Sequence, residues 1–376
     1  MRSRFCSTSV ATRVSANEEA IRCLTRALSL LEKLQDERDR DDRELKLRSA
    51  LSVVLNSARG YAVPEVEQNL DRVFTLLRAG GRGEVPVRWI WAAFTLRFVR
   101  GDLKGTREFA ELALSRSVGD ASCRCEAHHA MGGAMVSTGE LEASRHHFEA
   151  ALVAYDERDP QRSSLGSDLG VFARAWYAHT LWLLGDEDAA VLHAGQAVAL
   201  ARRLAHPYSE TLALAFSALL HQMRRDAAEV LRAAQSVVQL CERYEIGYYG
   251  EWARVLIGWA RGQERPAEGI ETIEAALERL DATRVQARRS YYLSLLAELY
   301  ALLGNPGRSA SILDTAISIA LERGDTWWLP ALYLQKGVLE AAPARNAMLQ
   351  RGLELARAQG SRGLERRILS SIVGTL

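Results

Sequence analysis

Between Cys123 and Gly133 the chain reads CRCEAHHAMGG. Thiolates and imidazoles are the usual protein ligands of zinc and related metals. Here Cys123, Cys125, His128 and His129 fall within seven residues, and His146 and His147 follow soon after. Asp120 has the side chain of a helix N-cap, which predicts a helix from there to about Thr138. On that helix Cys125 and His129 are four residues apart and share a face, and Cys125 and His128 are three apart. Cys123 lies on another side of the first turn. The four side chains cannot all reach one tetrahedral ion without unwinding the helix. The stretch therefore predicts a packing helix, with His129 turned to a binding face. No metal and no cofactor is expected.

Other reactive constellations are equally thin. No G-x-x-x-x-G-K-[ST] occurs, so the phosphate cradle of a P-loop is missing, and GNPGRS at 304–309 lacks its lysine. Neither G-x-S-x-G nor H-E-x-x-H is present. The acids of ERDRDD at 37–42 alternate with arginines and read as a solvated linker between helices. Trp327, Trp328 and Tyr333 could form an aromatic box, but their helical spacing favours packing. No catalytic residue is assigned, and the chain is not expected to be an enzyme.

Something must nevertheless position these side chains. The chain has 376 residues, 48% of them hydrophobic, with a net charge of +1. That composition supports a packed core. It lacks the clustered basic charge that nucleic acid or an anionic membrane would need as a partner. Five cysteines, an odd and small number, argue against a disulfide framework and for a reducing, cytoplasmic setting. No apolar run is long enough to span a membrane.

Apolar residues recur almost everywhere at the helical period, and strand signals are nearly absent. Turn residues mark a repeat. Taking Tyr61, Gly101, Gly139, Gly185, Arg225, Glu264, Gly304 and Ala344 as anchors, successive gaps are 40, 38, 46, 40, 39, 40 and 40. Twelve residues after each anchor stands Val73, Ala113, Ala151, Ala197, Val237, Ala276, Ala316 or Ala356. Small residues such as Ala178, Ala218 and Gly132 precede the anchors by seven. Small residues on both sides of a turn let two antiparallel helices approach closely. One helix pair cannot bury both its faces, so neighbours must stack.

The segment MGGAMVSTGELEASRHHFEAALVAYDERDP (131–160) resembles a tetratricopeptide repeat (TPR). The expected fold is all-α: a right-handed superhelical solenoid of antiparallel helix pairs with a period of about 40 residues. Residues 1–16 are expected to be a ragged N-terminus. The array is expected over 17–374, with an orphan helix at 17–35, eight hairpins at 43–358 and a closing helix at 362–374. The chain is thus expected to begin in the middle of a repeat.

Longer phrases carry a second resemblance. LARRLAHPYSETLALAFSALLHQMRRD and RGDTWWLPALYLQKGVL, with RALSLLEKL, GYAVPEVE and LWLLGDEDAAV, resemble the C-terminal helical repeats of bacterial STAND-type signalling ATPases. Such proteins are adenylyl-cyclase-associated or LuxR-type regulators. The likeness runs from about residue 17 to residue 374. Asp168-Leu169-Gly170-Val171 stands where that family tends to have Asp-Pro-Gly-Val, and Ala331 where it tends to have Glu. The family's ATPase and cyclase modules have no counterpart here, so their activity is not implied. What the resemblance implies is a regulatory module in bacterial signalling or transcription, working with an ATPase or cyclase domain.

In an open superhelix the first helix of each pair lines the concave side. The register then places Arg88, Trp91, His129, Phe172, His179, Trp182, Arg254, Tyr291 and Glu298 in a partner groove. Aromatic and arginine side chains are the usual anchors of such surfaces. The expected function is a non-catalytic scaffold that binds a protein or peptide. A small-effector sensor is the alternative, and a cryptic metalloprotein a more distant one.

Overall fold

The computed structural model describes residues 16–31, 37–79, 85–159, 163–164 and 166–373. The N-terminal residues 1–15, the end of the orphan helix at 32–35 and residue 374 lie outside them.

Among the described residues there are 18 helices. Helix α1 (Ala16–Leu31) stands ahead of eight hairpins. These are α2 (Glu37–Arg59) with α3 (Pro64–Ala79), α4 (Val87–Val99) with α5 (Leu103–Arg116), and α6 (Ala121–Thr138) with α7 (Leu141–Ala154). Next come α8 (Leu169–Leu183) with α9 (Glu187–Arg203), and α10 (Pro207–Met223) with α11 (Ala227–Tyr244). Then follow α12 (Tyr248–Gly262) with α13 (Pro266–Ala282), α14 (Arg289–Leu302) with α15 (Pro306–Arg323), and α16 (Leu329–Leu339) with α17 (Ala344–Ala358). Helix α18 (Arg362–Val373) closes the array. A two-residue ribbon, Ser163–Ser164 against Ser167–Asp168, lies in the α7–α8 connection. That insertion accounts for the single long gap between turn anchors. Residues 37–42, expected as a linker, instead open α2, where Asp39 pairs with Arg43 one turn on. An acid–base alternation at this spacing supports a helix as readily as a loop.

The hairpin turns have a two-residue chemistry. At Gly185-Asp186 the glycine takes φ +91°, a left-handed conformation that ends α8. The Asp186 carboxylate then accepts the Ala189 N–H and caps α9. Arg225-Asp226 repeats the device, with Arg225 at φ +66° and Asp226 accepting the Glu229 N–H.

Close approach inside the hairpins follows the small residues. A Cβ on Gly132 would lie 2.9 Å from the Phe148 ring. The α12–α13 pair is tighter: a Cβ on Gly269 would lie 2.5 Å from the Gly258 carbonyl oxygen and 2.6 Å from the Gly262 Cα. Backbone cannot retreat as a side-chain tip can, so Gly269→Ala should cost about 3 kcal/mol of stability. Urea unfolding measures it. Gly307→Ala, with no atom near its added carbon, is the control and should leave the midpoint unchanged or slightly raised.

First and second helices have different surroundings. The second helices bury one stripe each, such as Val230, Ala233, Ala234, Val237 and Cys241 of α11. The first helices are buried almost all round: α8 exposes little beyond Arg174. They form an inner layer, and the second helices an outer one.

The inner layer is wound onto itself. The Ser57 carbonyl near the end of α2 accepts the Gly247 N–H just before α12, at 3.1 Å. The last carbonyl of α4, on Val99, accepts Gln286 and Ala287 ahead of α14 at 2.8 and 3.0 Å. Ser137 of α6 accepts Thr326 and Trp327 ahead of α16. Leu183 of α8 accepts the Ser361 hydroxyl ahead of α18. The first helices of the first three hairpins thus meet the first helix five hairpins further on, and that of the fourth meets the closing helix. Carbonyls left over at a helix C-terminus need donors, and here the next turn of the superhelix supplies them. Head-to-tail placement also aligns the helix dipoles.

Candidate functional site

Winding the inner layer this tightly fills the axis. Phe94, Phe98, Phe172, Trp176, Phe216, Trp252, Tyr291 and Trp328 are all buried there. Phe94 stacks on Phe98, and most of the other rings meet edge to face or tilted, for instance Phe98 on Trp176 at 5.3 Å and Phe216 on Trp252 at 5.0 Å. Apolar aromatic contact of this kind stabilises a core, and among the described residues the space left beside it at Arg288 is a cavity of about 20 Å³.

This corrects most of the expected groove. Trp91 is wholly buried and its indole N–H donates to Nδ1 of His129 at 3.2 Å. His129 itself is 1% exposed, and its Nε2 has no hydrogen-bond partner. Phe172 packs on the His129 ring at 4.4 Å. His179 is 3% exposed and its Nε2 lies 2.8 Å from the Phe216 carbonyl oxygen. The Tyr291 hydroxyl donates to Gln222 at 2.7 Å within the core. Arg88 is exposed, while Arg254 is half-buried in an ion pair with Glu251 at 2.7 Å. Trp182 and Glu298 line two hollows at one end of the array. The physical reason is pitch: side chains that would look into a wide superhelix look at each other in a narrow one.

CRCEAHHAMGG occupies α6 as its N-cap predicts, with the Asp120 carboxylate accepting the Cys123 N–H. Burial pushes the thiol of Cys125 up to about 12 and that of Cys123 to about 11. Both stay protonated, which disfavours metal binding and nucleophilic attack. His128 reaches His147 on α7, Nδ1 to Nδ1 at 2.9 Å. Among the described residues no group of three or more His, Cys, Asp or Glu is placed to hold a metal. Trp327, Trp328 and Tyr333 are core residues, and the Trp328 indole donates to Ser294 at 3.1 Å.

One charged cluster sits inside the axis. The Arg288 guanidinium lies 4.6 Å from the Trp176 ring, 4.6 Å from Trp252 and 5.0 Å from Phe216. It borders a cavity of about 20 Å³ with His179 and Asp325, room for about one water. Burial raises the Asp325 carboxyl to about 6, and Arg288 acts against that rise. Burial also holds His129 and His179 down to about 3. Arg288 and His179 are themselves buried, which marks the cluster as structural.

Open space lies at the C-terminal mouth of the superhelix. Two hollows, of about 550 and about 640 Å³, share Arg225 and Arg367 as lining. Arg225 makes a bidentate ion pair with Glu298 at 2.6 and 2.7 Å. It also stands 5.1 Å from the Trp259 ring. Arg367 stacks over Trp182 at 4.7 Å. Burial and the neighbouring Arg225 charge lower its pKa to about 10. The wall of the first hollow is apolar, with Leu313, Leu334, Val338 and Leu339. The register analysis missed Arg225, which it used only as a turn anchor, and Arg367, on the closing helix. The one signal for Arg367 was LERRIL, which sets it beside the apolar Ile368 and Leu369 on the closing helix.

No protein-family model matches the chain, and no curated protein sequence does. Solved structures do match in fold. A Rap protein complexed with competence and sporulation factor aligns at TM-score 0.56 and 12% identity, over 94% of this chain and 99% of that one. The Rap conjugation gene regulator of plasmid pLS20, in complex with the Phr* peptide, aligns at 0.55 and 15%, over 95% and 94%. The Cut9–Hcn1 hetero-tetramer of the APC/C aligns at 0.54 and 13% over 92% of this chain, which spans 59% of the matched chain's length. The chain is an all-α, TPR-like helical-repeat solenoid.

Proposed function

We propose that the chain is a non-catalytic TPR-like interaction module that binds a protein or peptide at its C-terminal mouth. The observation that carries this is the contrast between a packed axis and one large, partly apolar opening, where Leu302 and Val338 remain 52% and 54% exposed. Exposed apolar side chains around a concavity are the usual mark of a binding surface. The similar structure that holds the Phr* peptide supports a peptide-sized occupant. The finer reading follows the STAND-type resemblance: a regulatory module in a bacterial cytoplasm whose partner is an ATPase or cyclase domain. The free state of Cys23, Cys123, Cys125 and Cys241 supports a reducing compartment.

Crosslinking in the host cell, followed by reconstitution with the purified partner, tests the module. Leu302→Asp and Val338→Asp should weaken the complex about tenfold or more. Val118→Asp, on a remote turn where the side chain is 88% exposed, should leave it unchanged. A complex indifferent to all three, or no partner at all, refutes the reading. The hollow volumes also suit a small effector. A metabolite that raises the melting temperature in proportion to its binding would favour the sensor version.

A further inference from the structure

Within that reading, the chemistry of the mouth restricts the partner. Every other arginine that lines the two hollows has a hydrogen-bond partner. Glu298 gives both its carboxylate oxygens to Arg225. Glu187 pairs with Arg224 at 2.6 Å. Arg366 donates to the Gly185 carbonyl oxygen at 2.9 Å. Asp186, which also lines the second hollow, is committed to capping α9. Asp188 is exposed at the rim.

Arg367 differs. Among the described residues its guanidinium has neither a hydrogen bond nor an ion pair, and its one close partner is the face of Trp182. A guanidinium carries five donors in a planar fork that matches a carboxylate. The aromatic face 4.7 Å away contacts the guanidinium without occupying its donors. Arg225 opposes the charge of Arg367, and the smaller opposite effects of Tyr291, Glu298 and Glu187 do not cancel burial and that repulsion, so an arriving anion would relieve it.

A small inorganic anion would satisfy the cation but would not cover the apolar wall of the same hollow. A peptide supplies both: a carboxylate and an apolar side chain. We propose that the mouth binds an acidic peptide segment, with a carboxylate received by Arg367 beside Arg225 and a neighbouring apolar side chain laid on the Leu302–Val338 wall. This rests on the interaction-module reading and adds the charge and polarity of the bound segment.

A bead-displayed hexapeptide library, varied among Leu, Phe, Ser, Glu, Gln and Lys, is panned with the full chain, and hits are titrated by fluorescence anisotropy. The expected hits carry Glu beside Leu or Phe. Exchanging that glutamate for glutamine should weaken binding about tenfold, the size of a charge-assisted hydrogen bond. Arg367→Gln should weaken the glutamate peptide by the same factor and leave the glutamine peptide unchanged, a coupling that loss of fold would not produce. Val338→Asp, which alters only an exposed wall residue, should weaken every hit. The proposal is overturned if the hits lack acidic residues, if no peptide is retained, or if Arg367→Gln acts equally on both peptides. It also fails if citrate or phosphate at matched ionic strength displaces the peptide as well as unlabelled peptide does, which would make the mouth a small-anion site. A crosslinked partner that still depends on Leu302 and Val338 in those cases would leave the module reading standing and remove only the acidic one.

Discussion

Acidification from neutral pH is expected to unfold the chain, and His129 and His179 are the main cause. In the unfolded chain each takes a proton near 6.5, whereas burial delays this to about 3 in the fold. Between those values the unfolded state holds two more protons. Stability is therefore complete above 6.5 and falls with pH, by about 2.7 kcal/mol per pH unit from the pair. Asp325 works in the opposite sense. Its folded value of about 6 lies above its unfolded 3.8, so between the two the folded state holds the extra proton. That offsets about half the slope in its window. The net loss from 6.5 to the region of 4 is about 4 kcal/mol, a large share of the 5–15 kcal/mol a domain usually has. Urea midpoints taken across this range measure it. Replacing both histidines by glutamine should flatten the slope markedly, leaving the contributions of the half-buried His128, His147, His193 and His221, which burial also lowers, set against the opposite trend of Asp325. An unchanged slope in the double variant would remove these two residues as the cause.

Arg288→Leu should be the most damaging single change in the axis. The side chain is 6% exposed and its charge is met by three aromatic faces. Cation–π contact is strongest where water is excluded. Leucine keeps the apolar volume but loses those contacts and removes the cation nearest in effect to Asp325. The expected loss at neutral pH is about 3 to 5 kcal/mol. Its pH dependence is the signature. Without Arg288 the Asp325 carboxyl titrates still higher, so the penalty grows as pH rises through 6 and shrinks below it. Denaturation of the variant and the parent at two pH values, either side of 6, gives the comparison. A pH-independent difference would show that Arg288 acts by packing alone.

The helical-repeat solenoid and its turn chemistry were legible in the sequence because they depend on local chemistry. Gly185-Asp186 and Arg225-Asp226 each end one helix and cap the next, and small residues such as Gly132 must stand where Phe148 arrives. The pitch of the superhelix was not legible from the repeat. It depends on a small rotation accumulated between hairpins, which no single residue encodes. The error at His129, His179 and Tyr291 follows from that. One available signal was passed over: LGVFARAWYAHTLWL in α8 has a single charged residue and is apolar on every side. A helix of that kind is buried all round and cannot line an aqueous groove. The mouth was legible least, because it joins Arg225 and Glu298 in the array to Arg367 on a closing helix that repeat arithmetic treats as an appendage.

Contacts between successive superhelical turns also change how the chain must fold. Repeat arrays are ordinarily quasi-one-dimensional: each unit senses its neighbours, and order can spread from anywhere. Here the Thr326 hydroxyl reaches the Thr138 carbonyl across 188 residues, and Ser361 reaches Leu183 across 178. Closing loops of that length costs entropy before any contact repays it, which slows folding relative to local-contact helical proteins. The same links join the ends of the array to its middle. Loss of α18 would therefore strip the partner from the end of α8, a helix at the centre of the chain, and disorder would begin there and at the terminus together.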